Sequence, residues 1–439
     1  MSDSLNRRDF FRVGGTTLFG LGLADLFRIQ ATAAGKSAAA KQMICIWLGG
    51  GPNHRDSFDP KPDAPAEFRG SFKTISTKVP GIQVSDLLPR MAQVADKYTI
   101  VRSCTTGDGR ADHGKDTNYW LTANRRRVPQ TPKYPTYGSV LAKLKQAPPG
   151  VPSFIVLGGG DKDVLTDSYL GAAFGPLLFS QEQARAMQEM LSVPQVNLPA
   201  FDRDADLVQA LNAQRRQLDQ LDPLVEGRDQ FQQKAFDLLR SAKMAEALDL
   251  KKENTKSLER YGAGPSNKLR GGKGFCESVV VARRLVEAGV PFVHVNFGGW
   301  DAHGDNDGTM REKFPSVDMA VASLLEDLDQ NGLLKTTIVA LLGEMGRTPW
   351  PQGGGGKGSD HWPTQFVVLA GGGFKGGNVV GATDYRAAEI KDKLYKVESF
   401  ARTIYTQLGI DPDHEFSTTD GRPIKIVTTD APIIQESLA

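Results

Sequence analysis

Gln42-Met43-Ile44-Cys45-Ile46-Trp47-Leu48-Gly49-Gly50-Gly51-Pro52 runs apolar from Met43 to Leu48 and is closed by three glycines and a proline. A run without polar alternation predicts a strand buried on both faces that ends in a tight loop. Similar short runs recur at 98–101, 153–157, 292–296, 337–342 and 365–370, and helical spacing predicts helices over 277–288, 316–330 and 397–408. Strands alternating with helices predict an α/β fold with a mostly parallel central sheet covered on both faces. Ligands of such sheets bind beyond the carboxyl ends of the strands.

Polar motifs fall at those ends. Asn53-His54-Arg55-Asp56-Ser57-Phe58-Asp59 follows the first run, Asp112-His113 comes after the run 98–101, Trp300-Asp301-Ala302-His303 follows 292–297, Glu344 follows 337–342, and Asp360-His361 precedes 365–370. Imidazole and carboxylate together suit a hard-to-borderline divalent ion. Asp301 and His303, two apart on extended chain, face one side. If 337–342 and 365–370 are sheet neighbours, the loop between them folds Glu344 and His361 into one site. A lone aspartate capping a turn or a lone histidine paired to a carboxylate is ordinary, but coincidence at several strand ends favours metal. His294, inside its strand, reads as core.

The chain of 439 residues carries 53 Lys and Arg against 51 Asp and Glu. That balance gives no field favouring nucleic acid. Cys45, Cys104 and Cys276 lack metal or redox spacing and read as buried apolar residues. Gly353 to Gly356 with Lys357-Gly358 fails as a phosphate loop, because no Ser or Thr follows the lysine, and reads as a connecting loop. The segment 181–261, rich in Gln, Glu, Lys, Leu and Ala, predicts a helical insertion of two or three long helices, with a lid over the active edge as the functional alternative to a structural role.

Asn6-Arg7-Arg8-Asp9-Phe10-Phe11-Arg12 precedes a weakly apolar stretch and the small-residue site Ala31-Thr32-Ala33. Residues 1–33 therefore read as a twin-arginine signal peptide, handled by the twin-arginine translocase, with 34–439 as the mature domain. The expected location is periplasmic or secreted, with no integral membrane span in the mature chain.

With that leader, Ile46-Trp47-Leu48-Gly49-Gly50-Gly51-Pro52-Asn53-His54-Arg55-Asp56-Ser57-Phe58-Asp59-Pro60-Lys61, Gly299-Trp300-Asp301-Ala302-His303, Gly343-Glu344-Met345-Gly346-Arg347-Thr348-Pro349 and Asp360-His361-Trp362-Pro363 resemble the domain of unknown function 1501 family. The resemblance implies an alkaline phosphatase-like three-layer sandwich, of the alkaline phosphatase and sulfatase superfamily, holding one or two divalent ions (zinc, manganese, calcium or iron). It implies Asp301 and His303 for one ion, Glu344 and an early aspartate for the other, and His361 late in the chain. Asp56 or Asp59 replaces the early aspartate, since Gly50 stands at its usual place, while His54 and Asp360 are further ligand candidates. Met345 stands where the superfamily has a histidine.

The superfamily's Ser, Thr or modified Cys nucleophile aligns with His113 in His113-Gly114-Lys115-Asp116-Thr117-Asn118-Tyr119-Trp120-Leu121-Thr122. His113 is expected as ligand, acid or base, or phosphoryl acceptor, unless hydroxide on the ion attacks directly; Thr117 is the nearest hydroxyl. Lys115 and Arg347 are candidates to clamp an anionic group, or Arg347 pairs structurally with Glu344. The function implied is an exported hydrolase of a phosphate or sulfate ester, on a small molecule or polysaccharide. Its alternative is a non-catalytic metal-binding or scaffold protein of the same fold. A redox enzyme with an organic cofactor fits less well, for want of a dinucleotide glycine fingerprint.

Overall fold

A computed structural model describes residues 39–439 apart from 108–110, 126–132, 146, 162–163, 167, 180–240, 268, 270, 352–355 and 419. The expected twin-arginine leader and most of the expected insertion lie outside the described residues.

Nine strands form the central sheet: β1 (Gln42–Trp47), β2 (Tyr98–Thr105), β3 (Phe154–Leu157), β4 (Leu177–Phe179), β5 (Phe292–Asn296), β6 (Thr337–Leu342), β7 (Thr364–Ala370), β8 (Asn378–Val380) and β9 (Tyr395–Lys396). Their order is β8-β2-β7-β6-β1-β5-β3-β4, with β9 also paired to β2. All pairings are parallel except those of β7, which runs against both β6 and β2. The expected mostly parallel α/β architecture is therefore present. Because β7 alone is reversed, its start lies at the edge where the other strands end.

Alternate residues of each strand feed two separate cores, as a strand's period of two requires. Ile44, Ile46, Val293, Val295, Val339 and Leu341 pack under α3 (Lys273–Glu287) and α4 (Asn306–Gln330). Met43, Cys45, Trp47, Ile338, Ala340 and Leu342 pack on the other face with α1 (His113–Thr122), α2 (Tyr137–Leu144) and α5 (Val397–Gln407). The result is three layers, helix on sheet on helix. α4 begins ten residues before its expected start and passes through Pro315. His294 is buried at 1% exposure, and burial pushes its pKa down to about 3, so it stays neutral as a core residue. The three cysteines are buried free thiols.

The described end of the insertion differs from long helices over the site. Ala242–Leu248 and Thr255–Tyr261 are short, and Met244, Leu248 and Tyr261 join the α3/α4 core. The Tyr261 hydroxyl donates to Asp327 Oδ2 at 2.8 Å, and Arg284 Nε donates to the Ala247 carbonyl at 3.0 Å. This part is body rather than cap. Among the described residues, no helix is long and apolar enough to cross a membrane.

Candidate metal centre

The loops leaving β2, β5 and β6 and the one entering β7 meet at one sheet edge. α1 starts on Asp112, whose carboxylate accepts the Lys115 amide at 2.9 Å while Asp116 accepts the Asp112 amide at 2.9 Å. This reciprocal cap closes the helix's open amides and fixes His113 at its first position. Burial pushes Asp116 up to about 6. His361 is held by a short ladder in which it pairs with Arg347 and Trp362 pairs with Gly346. β6 and β7 are neighbours, which is the condition the sequence set for joining Glu344 and His361.

His113, Asp301, His303 and His361 offer ligand atoms all within 4.8 Å of one another. His113 Nε2 lies 3.2 Å from Asp301 Oδ2, His303 Nε2 lies 2.9 Å and His361 Nε2 3.4 Å from Asp301 Oδ1, and the last two nitrogens are 3.1 Å apart. Metal bonds of 2.0–2.1 Å in a tetrahedron require ligand atoms about 3.3 Å apart. These spacings lie on either side of that value.

Two of the imidazoles are hydrogen-bonded on the outer nitrogen, and the third faces a carboxylate there. His113 Nδ1 meets Glu344 Oε1 at 2.7 Å, His361 Nδ1 meets the Ala111 carbonyl at 3.2 Å, and His303 Nδ1 faces Asp360 Oδ1 at 3.6 Å. A ring that donates from Nδ1 presents a lone pair at Nε2, the tautomer a metal needs. His113 Nε2 is buried and has no hydrogen-bond partner, and an orphaned buried acceptor is costly unless a cation meets it. These residues fit a divalent ion.

Protonation follows the same geometry. The Glu344 hydrogen bond raises the His113 pKa against partial burial, helped by the charges of Glu344 and Asp301. Burial lowers that of His361, with His113 and Arg347 adding to the effect. Partial burial works to raise that of Asp301, but the hydrogen bond and charge of Arg347 outweigh it and hold the carboxyl below its usual range. Without an ion, one proton on His113 replaces the missing cation. Its folded value lies above the ordinary 6.5, so this stabilisation is complete below the unfolded value and is lost as pH rises through the folded one. Chelator-treated protein is therefore expected to lose thermal stability, relative to His113→Gln, as pH rises from about 6.5 through the raised folded value. Ion affinity is expected to rise over the same interval, because protons and metal compete for one lone pair. Melting curves and metal titrations at a series of pH values measure both.

The other expected residues have different places. Glu344 stands behind His113 and also accepts the Gly50 amide at 2.8 Å, so it supports a ligand instead of joining the four. His54, Asp56 and Asp59 are not brought to the cluster. His54 is buried with Nε2 on the Ala387 carbonyl at 2.6 Å, and burial lowers its pKa. Asp56 is gripped by Arg55 at 3.2 and 3.1 Å and by Asn306 at 3.1 Å. Asp59 pairs with Lys61 at 2.9 Å and Arg102 at 3.3 Å and accepts the Thr383 hydroxyl. Both carboxylates are already neutralised by their own cations. Thr117 is buried one turn inside α1, outside the four-residue group, and Lys115 is exposed beside His113.

Arg347 does not clamp an external anion, nor does it pair with Glu344. It is fully buried, donating Nε to Gly51 O at 2.9 Å, Nη1 to Ser359 O at 3.1 Å, and Nη2 to Gly50 O and to Asp301 Oδ1, the last at 2.6 Å. All its nitrogens are engaged, so it orients Asp301. Gly50 explains why no aspartate occupies the usual early place. At φ +111°, a Cβ there would lie 2.5 Å from the Asp301 amide and 2.7 Å from that of Trp300. Gly50→Ala is expected to lower stability by about 2 kcal/mol or more, from strained backbone plus this clash, read as a fall in Tm with weakened metal retention.

The sequence reading missed the Ala111 carbonyl and the Gly50 amide, backbone groups without a side-chain signature. It also missed Asp116, whose place as a capping residue three after His113 was readable from spacing.

The chain matches, over residues 40–438, the family described as protein of unknown function (DUF1501). No curated protein matches it. Among solved structures it is similar to a protein in the alkaline phosphatase superfamily from Vibrio parahaemolyticus, at 9% identity over 91% of this chain and 71% of that one, TM-score 0.41. It is also similar to the phosphonate monoester hydrolase of Agrobacterium radiobacter, at 10% identity over 91% and 77%, TM-score 0.39. The lipoteichoic acid synthase LtaP from Listeria monocytogenes is similar at 10% identity over 88% and 78%, TM-score 0.38.

Proposed function

The chain belongs to the DUF1501 family of proteins of unknown function, and from that premise we propose that it is an exported, metal-dependent hydrolase of a phosphate or sulfate ester. The observation that carries this reading is the convergence of three Nε2 atoms on Asp301, each ring backed on its far side. Three imidazoles and one carboxylate suit zinc, manganese or iron and disfavour calcium, which takes oxygen ligands.

His113, Asp301, His303 and His361 would hold the ion, which when bound supplies Lewis acidity toward an ester oxygen. Glu344 holds the His113 proton on Nδ1, and Arg347 fixes the rotation of the Asp301 carboxylate. Asp301 and His303 are exposed, so an ester can reach the inner face of the cluster. Lys115, exposed at the start of α1, would attract an anionic group. His113 stands at the place implied for the nucleophile, where its Nε2 lone pair would be taken up by the ion and its Nδ1 by Glu344. Export by the twin-arginine route, to the periplasm or the medium, is part of the same proposal, because that route carries proteins folded around their ions.

One observation favours a second reading, a scaffold that keeps the ion without chemistry. Four protein donors close a tetrahedral shell, as in structural sites, whereas catalytic sites keep an open position. The exported protein, purified without chelator, should be assayed with p-nitrophenyl phosphate, p-nitrophenyl sulfate and a phenyl phosphonate monoester. Metal-dependent turnover of any of them supports the hydrolase. A fully loaded ion with no turnover on all three moves the assignment to the scaffold.

A further inference from the structure

Two buried side-chain atoms behind the cluster lack a hydrogen-bond partner and are of opposite kind: Glu344 Oε2, an acceptor, and Gln365 Nε2, a donor. Both residues are 2% exposed. Glu344 Oε1 already carries the Gly50 amide at 2.8 Å and His113 Nδ1 at 2.7 Å, so Oε2 is the unmet end of a carboxylate on which a metal ligand leans. A buried carboxylate oxygen without a donor is costly, and so is a buried amide N–H without an acceptor.

Strand pairing brings the two residues together. β6 and β7 pair Leu341 with Val368 and Ala340 with Leu369, and the antiparallel ladder continued along the same register sets Glu344 beside Gln365. Further on, Gly346 pairs with Trp362, and a Cβ on Gly346 would collide with the Thr364 carbonyl, so the two chains are still in contact past this point. They also share a face. Glu344 reaches His113 on α1, while Gln365 is the register partner of Cys104, which packs with Val367 in the core beneath α1, α2 and α5. Residues directly opposite one another in a ladder point to the same side. Thr106 Oγ1, just past β2, and Trp120 Nε1, on α1, are other buried donors without a partner, but neither stands on the strand next to Glu344.

We infer that Gln365 is a positioning residue of the metal centre: its amide nitrogen serves Glu344 Oε2, directly or across one water, and so fixes the carboxylate that holds the His113 ring. With a donor on each oxygen the carboxylate cannot turn, and the His113 Nε2 lone pair stays aimed into the cluster. The inference rests on the ion-binding part of the proposed function and is independent of ester hydrolysis.

The test uses the full chain, purified without chelator, loaded with zinc and carrying isotope-labelled histidine for NMR. Gln365→Leu and Gln365→Met remove the donor at similar volume, while Thr106→Val and Trp120→Phe remove the rival donors. Both Gln365 variants are expected to move the His113 Nδ1–H resonance and hasten its exchange with water, to leave that of His361 in place, and to weaken zinc binding roughly tenfold. An unchanged His113 resonance with unchanged zinc affinity in either folded Gln365 variant overturns the inference while the metal centre stands, and so does a change that follows Thr106→Val or Trp120→Phe instead. Should neither Gln365 variant fold, a crystal structure of the wild type decides: Gln365 Nε2, or a water it holds, within hydrogen-bonding distance of Glu344 Oε2 supports the role, and another group in that place overturns it. Wild-type chain that takes up no zinc overturns the metal centre and this role with it, a failure seen in metal content before any variant is compared.

Discussion

Asp301→Ala is expected to strip the protein of its ion. Asp301 is the one anionic residue of the four, and the Nε2 atoms of all three histidines lie within 3.4 Å of one of its oxygens. Four-ligand sites bind with roughly 10–16 kcal/mol, so one ligand is worth about 3 kcal/mol and its loss weakens binding on the order of 100-fold. Removing the charge as well leaves a dication on three neutral rings. Mass spectrometry should find about one ion per chain in the wild type and near none in the variant after dialysis. Asp301→Asn retains an oxygen for Arg347 and separates lost charge from lost packing. It should lower the apo melting temperature less than Asp301→Ala does while binding metal weakly. A variant that retains stoichiometric metal would sink the assignment of the cluster.

Arg347→Met carries the second large effect, on stability before metal. The guanidinium is fully buried and serves three backbone carbonyls and Asp301 from one fork. Methionine fills the volume but leaves those acceptors unmet, a loss of about 3–5 kcal/mol, or roughly 3–6 °C in Tm for a chain of this length. Arg347→Lys keeps the charge without the fork and should recover only part of it. Thermal melts of both, with and without added metal, check this. Equal stability of Arg347→Lys and wild type would refute the claim that fork geometry matters.

The central strands were legible because each is a continuous apolar run in the middle of a sheet. The edges were not. β4, β8 and β9 have two or three residues each, too few to show a period, and their pairing comes from tertiary context. The start of α4 was hidden by Pro315, which reads as a breaker although the helix runs through it. At the site, Asp301, His303 and His361 were readable as strand-end polar residues, whereas the partner of each charge was not. Nothing in the spacing of Asp56 and Asp59 reveals that Arg55, Lys61 and Arg102 consume them. Nor does the position of Arg347 after Glu344 reveal that it crosses to the carboxylate of another loop.

The reversal of β7 separates two duties that a loop at an active edge usually combines. Chain leaves the sheet at Glu344 and returns at His361, and the neck is fastened by the Arg347–His361 pairing and the Thr348–Asp360 hydrogen bond. Beyond that neck, the described residues Trp350, Pro351 and Lys357 line a cavity of ≈ 630 Å³. Substitutions at these three positions change the cavity wall while Glu344 and His361 stay registered to the sheet. The fold thus separates a replaceable lining from a fixed cluster of donors.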